Sequence, residues 1–426
     1  MEFLWNILAS LLFSAAFAAL VLRWLASGGV NLPAPWSEPL PDRCRGRVSA
    51  ASLARVFIIG LAFRIVYAFV TLFLFQLISG TQIGLGGLPE LWCRWDAPHY
   101  VHLTELGYGG YLDDGQPLFL VFYPLYVWLT RAVSLLIPNI PLAGLAVSWI
   151  CFAGGCTYFY ALGVEEYGEK LARGGLLVLV SFPFAFFFGG IMTESLFFLT
   201  TAAGLYHIRR HQWLAAGLWG VAAALTRMQG VLLAGAAVAE LVNQQRPFDQ
   251  IGSDRRRAYL NIMTKLPVLF LPFLGSLAYF GLNFYITGDP FAFTRMQAHW
   301  SQGFRWFPEV LAYLANNALT WSPVSTRWEM WIPELLLFPV FVLLICRSWK
   351  RHRSMFVLYS TVYFILNYCL NWLLSAGRYL SCALPCAFFA ADWLEDRPRW
   401  RIVLILVMWV LQMIFLIRYF SWGQVM

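Results

Sequence analysis

Ile402-Val403-Leu404-Ile405-Leu406-Val407-Met408-Trp409-Val410-Leu411-Gln412-Met413-Ile414-Phe415-Leu416-Ile417-Arg418-Tyr419-Phe420 decides the fold class. Its length suits a helix that crosses the hydrocarbon core of a bilayer, which takes about 20 mostly apolar residues. Comparable runs recur and predict membrane helices near 3–25, 53–79, 142–163, 174–192, 195–208, 213–226, 229–242, 266–287, 331–347, 354–375, 379–394 and 402–420. The ten-residue alternation of an outer-membrane barrel does not occur. The fold class that follows is all-α, a polytopic membrane protein with about 11–13 transmembrane helices.

Composition agrees with this reading. Of 426 residues, 60% are hydrophobic, 18% aromatic and only 12% charged, well below the roughly one quarter charged in soluble domains. The net charge of +8 sits in short clusters between apolar runs rather than on one face, which argues against a nucleic-acid partner. By the positive-inside rule those clusters mark cytoplasmic connections: Arg43, Arg45, Arg47 and Arg55; Arg209 and Arg210; Arg246 with Arg255 to Arg257; Lys350, Arg351 and Arg353; and the arginines of 397–401. The loop 80–117 then faces the opposite side. So does 288–330, whose Trp300, Trp306, Trp321 and Trp328 suit a loop lying along the membrane surface.

Arg227 interrupts the run 213–242 at its middle, which predicts a hairpin of two short helices with Arg227 on the side of the acidic loop. Segment 118–137 is expected to be a partial or re-entrant helix broken at Pro124, because a full crossing there would invert the better-marked loops downstream. Residues 1–52 form an extra N-terminal transmembrane helix and basic loop, and 53–426 the main domain. The first helix is too long, and lacks the basic start, for a cleavable signal, although the small residues Ser27-Gly28-Gly29 keep that alternative open. Eight cysteines, Cys44 among them, lie mostly in or beside apolar runs without metal-ligand spacing and read as packing residues. No internal repeat is visible, which counts against a secondary transporter.

The densest polar and aromatic cluster is Arg94-Trp95-Asp96-Ala97-Pro98-His99-Tyr100. From Glu90 to Asp114 the acids are Glu90, Asp96, Glu105, Asp113 and Asp114, against Arg94 alone, with His99 and His102 nearby. Asp96 could take the proton of an attacking hydroxyl or bind a divalent cation, and Arg94 could hold a phosphate or fix the carboxylate. The bland alternative, an interfacial Arg–Asp pair, stays open. Asp96, His99 and His102 converge poorly for a dedicated metal site, so none is assigned. Glu194 interrupts an apolar stretch, where a carboxylate is costly unless it faces a polar cavity or a partner. Arg227 and Arg378 pose the same question: two arginines reaching one cavity could neutralise a phosphate, or each could extend to the headgroups.

The ordered set Arg94-Trp95-Asp96, Gly107-Tyr108, Phe122-Tyr123-Pro124-Leu125-Tyr126, Thr193-Glu194-Ser195, Thr226 through Gly230, Gln297 through Trp300, and Arg378-Tyr379 with Pro385 resembles the GPI mannosyltransferase II (PIG-V-like) family of GT-C glycosyltransferases. The matches keep their order from about residue 55 to 393. The resemblance implies a GT-C-like bundle with catalytic non-cytoplasmic loops, in a bacterial inner membrane with a periplasmic site or in an endoplasmic reticulum membrane with a lumenal one. It implies inverting transfer from dolichyl- or polyprenyl-phosphate mannose to a glycolipid-type acceptor, with Asp96 as base. Arg94, His99, Tyr123, Glu194, Arg227, Gln297, Trp300, Arg378 and Tyr379 would bind substrate. No cofactor follows, a divalent cation stays open, and a small membrane subunit is a possible partner. The runner-up is a transporter or flippase of a lipid-linked sugar, for which an essential carboxylate in an external loop is not required.

Overall fold

The computed structural model describes residues 2–43, 46–371, 373 and 375–425, so Cys44 and Arg45 lie outside the described residues. The chain is all-helical, as expected. Helices α1 (Glu2–Ser27) and α2 (Ala50–Ser79) lead into a long connection holding α3 (Ala97–Leu106) and α4 (Pro124–Ser134). There follow α5 (Ile140–Tyr167), α6 (Glu169–Ser181), α7 (Glu194–Arg209), α8 (Trp213–Ala224), α9 (Leu232–Gln245), α10 (Gly252–Leu269) and α11 (Pro272–Thr287). A second long connection carries α12 (Ala292–His299) and α13 (Phe307–Thr320), and the chain ends with α14 (Ile332–Ser348), α15 (Ser354–Asn367), α16 (Pro385–Leu394) and α17 (Pro398–Phe420).

Among the described residues six helical spans are long and apolar enough to cross a membrane: Leu4–Ser27, Ala50–Ser79, Ile140–Tyr167, Gly252–Thr287, Val324–Ser348 and Pro398–Phe420. Most of these carry large apolar side chains outward, such as Ile58, Phe73 and Leu77 on α2 and Val403, Leu406 and Val410 on α17. In water such a surface would be untenable, and in lipid it is the expected exterior. The protein is an integral membrane protein. Helices α6 to α9, α15 and α16 are shorter, 10 to 16 residues. At 1.5 Å per residue they rise about 15–24 Å, less than the roughly 30 Å hydrocarbon core. They stop short, and non-helical segments complete their paths.

The two ends of the bundle differ in chemistry. At one end, called here the basic end, the arginine clusters meet buried acids. Glu166 accepts from Arg209 and, at 2.8 Å, from Arg353; Asp392 holds Arg43 at 2.9 Å and Arg351 at 2.7 Å. At the other, the loop end, both long connections and the reversals after α6, α8 and α15 come together. There Phe304 bridges Leu370, and the Leu125 N–H donates to the Leu225 carbonyl at 3.1 Å.

Several helix limits differ from the sequence expectation, each for a local reason. The span 174–192 is not one helix: α6 ends at Ser181, two residues before Pro183, and Ala185–Gly189 is a 3-10 turn. The span 354–375 stops at Asn367 because the following residues pair with the second long connection, Arg305 N–H donating to Cys369 and Asn371 N–H to Gly303. The span 379–394 begins at Pro385, a residue suited to the first helical turn. The expected span 266–287 lacks α10, whose Asp254, Arg255, Arg256 and Arg257 hide a helix from any search by hydropathy.

The hairpin 213–242 is two short helices, and 118–137 is a 3-10 turn followed by α4 with Pro124 at its start. Close packing accounts for glycine at 155 and 189, within Gly154-Gly155 and Gly189-Gly190. A Cβ on Gly155 would lie 2.6 Å from the Phe198 ring, and one on Gly189 would lie 3.1 Å from Trp92. Cys151, Cys156, Cys369, Cys382 and Cys386 are buried, whereas Cys346 is exposed.

Candidate active site

Three breaks in short helices build the site. Segment 182–193 ends where Glu194 opens α7, the reversal 225–231 carries Arg227, and the turn Ala376–Leu380 carries Arg378. Glu194 is fully buried, and its Oε1 accepts from both Arg227 Nη2 and Arg378 Nε. Arg227 also donates from Nε to Thr193 Oγ1 at 2.9 Å. Arg378 extends from Nη1 to Asp96 Oδ2 at 2.5 Å. Two carboxylates and two guanidiniums thus alternate in one chain, Asp96–Arg378–Glu194–Arg227. Asp96 is its outer member, with 29% of its side chain exposed, whereas Arg378 is almost wholly enclosed.

Aromatic faces line the buried part. The guanidinium carbon of Arg227 lies 5.3 Å from the Tyr379 ring centre and 5.7 Å from that of Phe197, and Arg378 lies 5.3 Å from that of Phe187. Two polar atoms in this shell are buried without a hydrogen-bond partner among the described residues, Arg227 Nη1 and Glu194 Oε2. A buried donor left open calls for a physical explanation, and a ligand atom supplies one. The helix starts at Glu194 and at Met228, where a 3-10 turn leads into α9, both fall here and add unpaired N–H groups with a positive dipole end. The inner part of the site is suited to an anion, and its outer part to a hydroxyl near Asp96.

Asp96 precedes α3 on a strained residue. Trp95 has a φ of 56°, in the left-handed region that bulky residues avoid. The C-terminal segment holds it there. Tyr419 Oη lies 3.4 Å from the Trp92 carbonyl and 3.3 Å from that of Arg94, and the Trp422 ring lies 5.8 Å from that of Trp95. Arg94 belongs to this clamp rather than to the ion chain. It donates to the carbonyls of Glu90, Cys93 and Phe420 and lies 5.0 Å from the Trp422 ring centre. The sequence reading places Arg94 beside the substrate; the structure turns its guanidinium toward the chain's last helix.

The other candidate residues form a rim or lie outside. His99 meets Tyr111 Oη at 3.0 Å and stacks on Phe119 at 4.6 Å. Burial holds its pKa below the usual value, partly opposed by Asp96, so the imidazole is neutral near pH 7. Trp300, just after α12, reaches the same Phe119 at 6.1 Å between ring centres, which joins the two long connections. Tyr123 stacks on Tyr279 at 4.1 Å. Gln297 contributes its carbonyl to the turn after α12, and none of the described contacts joins it to the ion chain.

Asp96, Glu194, Arg227, Arg378 and Tyr379 are therefore brought together, His99, Tyr123 and Trp300 sit in the surrounding aromatic layer, and Arg94 and Gln297 stand apart. Thr193 enters the sequence reading only as a motif position without a role, and the clamp residues Tyr419 and Trp422 are not singled out there. Trp422, directly after the last apolar run, is a readable aromatic signal, whereas Tyr419 is hidden inside that run. Among the described residues no group of three or more His, Cys, Asp or Glu is gathered for a metal.

Among solved structures the chain is similar to ArnT from Cupriavidus metallidurans, whose crystal structure holds undecaprenyl phosphate. The TM-score is 0.50 at 15% identity, over 82% of this chain and 61% of that one, so the chain spans about three fifths of that protein's length. The shared feature is the polytopic GT-C fold. No protein-family model matches the sequence, and neither does any curated protein.

Proposed function

We propose that the protein is a membrane glycosyltransferase that moves a sugar from a polyprenyl-phosphate carrier to a hydroxyl of a lipid-borne acceptor. The observation that carries this is the open Nη1 of buried Arg227, beside two helix starts and a few residues along an ion chain from the half-exposed Asp96. A phosphate is the natural occupant of the inner position, where its charge meets fixed donors in a dry setting. Similarity to a fold seen with undecaprenyl phosphate supports a lipid-linked donor. Mannose as the sugar, and a glycolipid acceptor, rest on the motif resemblance alone.

In this mechanism the acceptor hydroxyl gives its proton to the Asp96 carboxylate oxygen that Arg378 leaves free, and its oxygen attacks the anomeric carbon. The bond from that carbon to the phosphate oxygen breaks on the far side, which inverts the configuration. The leaving lipid phosphate keeps the electron pair, and Arg227 stabilises its charge. Glu194 holds both arginines in place. The arginine asymmetry supports a non-cytoplasmic loop end, periplasmic or lumenal.

The test is transfer from radiolabelled polyprenyl-phosphate mannose to candidate lipid acceptors by the purified protein. Asp96→Asn should lower the rate by about 100-fold or more, the usual contribution of a general base, in a folded protein. Arg227→Gln should raise the apparent KM for the donor more than that for the acceptor. Retention of more than about a tenth of the rate in Asp96→Asn would remove Asp96 from the base role.

A further inference from the structure

A cavity of about 630 Å³ opens at the basic end, bounded by the end of α1, segment 29–40, the end of α9 and the start of α15. Its size is that of a small-ligand site. It is at the opposite end of the bundle from Asp96, and the transfer chemistry makes no use of it.

Its wall carries the arginines Arg23, Arg246 and Arg353 against the carboxylates Glu38 and Asp249. Helix α15 starts there with no side-chain cap, although Ser354 and Met355 are 8% and 0% exposed; a buried helix start normally has acceptors for its first N–H groups. Trp36 lines the cavity, and its Nε1 is buried without an acceptor among the described residues. Arg23, 5% exposed, donates to three carbonyls, of Trp36 at 3.3 Å, Glu38 at 3.1 Å and Lys350 at 2.9 Å, and forms no ion pair among the described residues. The two carboxylates of the wall are already neutralised: Glu38 by Lys350 at 3.0 Å and Asp249 by Arg246 at 2.9 Å. The nearest carboxylate to this guanidinium, Glu38, is shared with Lys350, so Arg23 is only partly compensated, and an anion in the cavity would offset the cost of burying it.

We propose that this cavity binds one phosphate-bearing group, either the headgroup of an anionic membrane lipid or a soluble phosphate ester. Its position favours access from the membrane surface. Arg23, in its wall, lies 5.9 Å from the Trp349 ring at the end of α14, and an indole at the end of a membrane helix marks the level of the lipid headgroups. Because its wall comes from α1 and segment 29–40 on one side and from α9 and α15 on the other, the ligand fastens the N-terminal helix to the bundle.

Native mass spectrometry of the full chain in detergent tests this, with phosphatidylglycerol, phosphatidylcholine and glycerol phosphate titrated separately. The wild type should retain one phosphatidylglycerol or one glycerol phosphate in preference to phosphatidylcholine. Stronger retention of the first identifies a lipid source, and of the second a soluble one. Trp36→Phe, which keeps the ring and deletes the donor, should weaken retention about tenfold, as for one hydrogen bond to a charged acceptor. Arg23→Gln should weaken it further, and Arg227→Gln should leave it intact. No retention of either phosphate ligand would overturn the proposal, as would retention indifferent to Trp36→Phe and Arg23→Gln. Retention lost only in Arg227→Gln would also overturn it, placing the bound lipid at the loop end and leaving the transferase reading untouched.

Discussion

Glu194 offers one oxygen to two arginines in a place where no water reaches it. Deleting that charge leaves Arg227 and Arg378 facing each other at low dielectric, and removal of one member of a buried ion group costs about 3–5 kcal/mol. Glu194→Gln should therefore destabilise the protein by about 3 kcal/mol, read from unfolding in detergent. A loss below about 1 kcal/mol, the scale of a surface pair, would show that the carboxylate does not anchor the arginines. His99 adds a pH dependence. Its folded pKa lies below the ordinary 6.5, so the unfolded chain binds the proton more readily; the contribution of His99 to stability is present above about pH 6.5 and is lost as pH falls from there through the lower folded value. His99→Phe, which keeps the stack on Phe119, should flatten stability between pH 7 and 5. An unchanged slope would assign the acid sensitivity to other groups.

The reversal between α8 and α9 determines where Arg227 points, and it depends on a missing side chain. A Cβ on Gly230 would lie 2.2 Å from the backbone of Ala223 and Ala224, and backbone cannot yield as a flexible side chain can. Gly230→Ala should cost about 1–3 kcal/mol as an overpacked site and should raise the donor KM by displacing Arg227. Gly235, inside α9, meets nothing within 4 Å. The Gly235→Ala control should be stabilising by roughly 0.5–1 kcal/mol, since only the backbone entropy of glycine changes. Equal behaviour of the two variants would rule out tight packing at the reversal. The short helices themselves explain why the ion chain is recessed: they end before the full bilayer depth, and irregular backbone is tolerated there because it lines a polar site enclosed by protein.

At the scale of the whole molecule, the alternation of crossings places both long connections at one end and every arginine cluster at the other. Single cysteines at Gly86 and Asn316, in a background with the eight native cysteines replaced, should react with an impermeant probe from the same, non-cytoplasmic side. A cysteine at Arg256 should react only from the other side. Reaction of Gly86→Cys and Asn316→Cys from opposite sides would contradict the bundle's topology. Reaction of both from the cytoplasm would keep the topology and reverse the orientation.

Membrane insertion, helical class, the hairpin at 213–242 and the break at Pro124 were readable from the chain alone, because each depends on a local quantity: apolar length, a proline, or a charge in an apolar run. The choice of Asp96, Glu194, Arg227 and Arg378 as unusual residues was also legible, since a lone charge in such a setting must find a partner. Which partner it finds was not. Arg378 is 282 positions from Asp96 and 184 from Glu194, and the pairing depends on where α7, α9 and the Ala376–Leu380 turn end against one another. The same holds for Arg94, adjacent to Asp96 in sequence yet held by the Phe420 carbonyl and the Trp422 ring. Local free energies of transfer decide what crosses the membrane; only the packed bundle decides which buried charges neutralise each other and which donor stays open for a ligand.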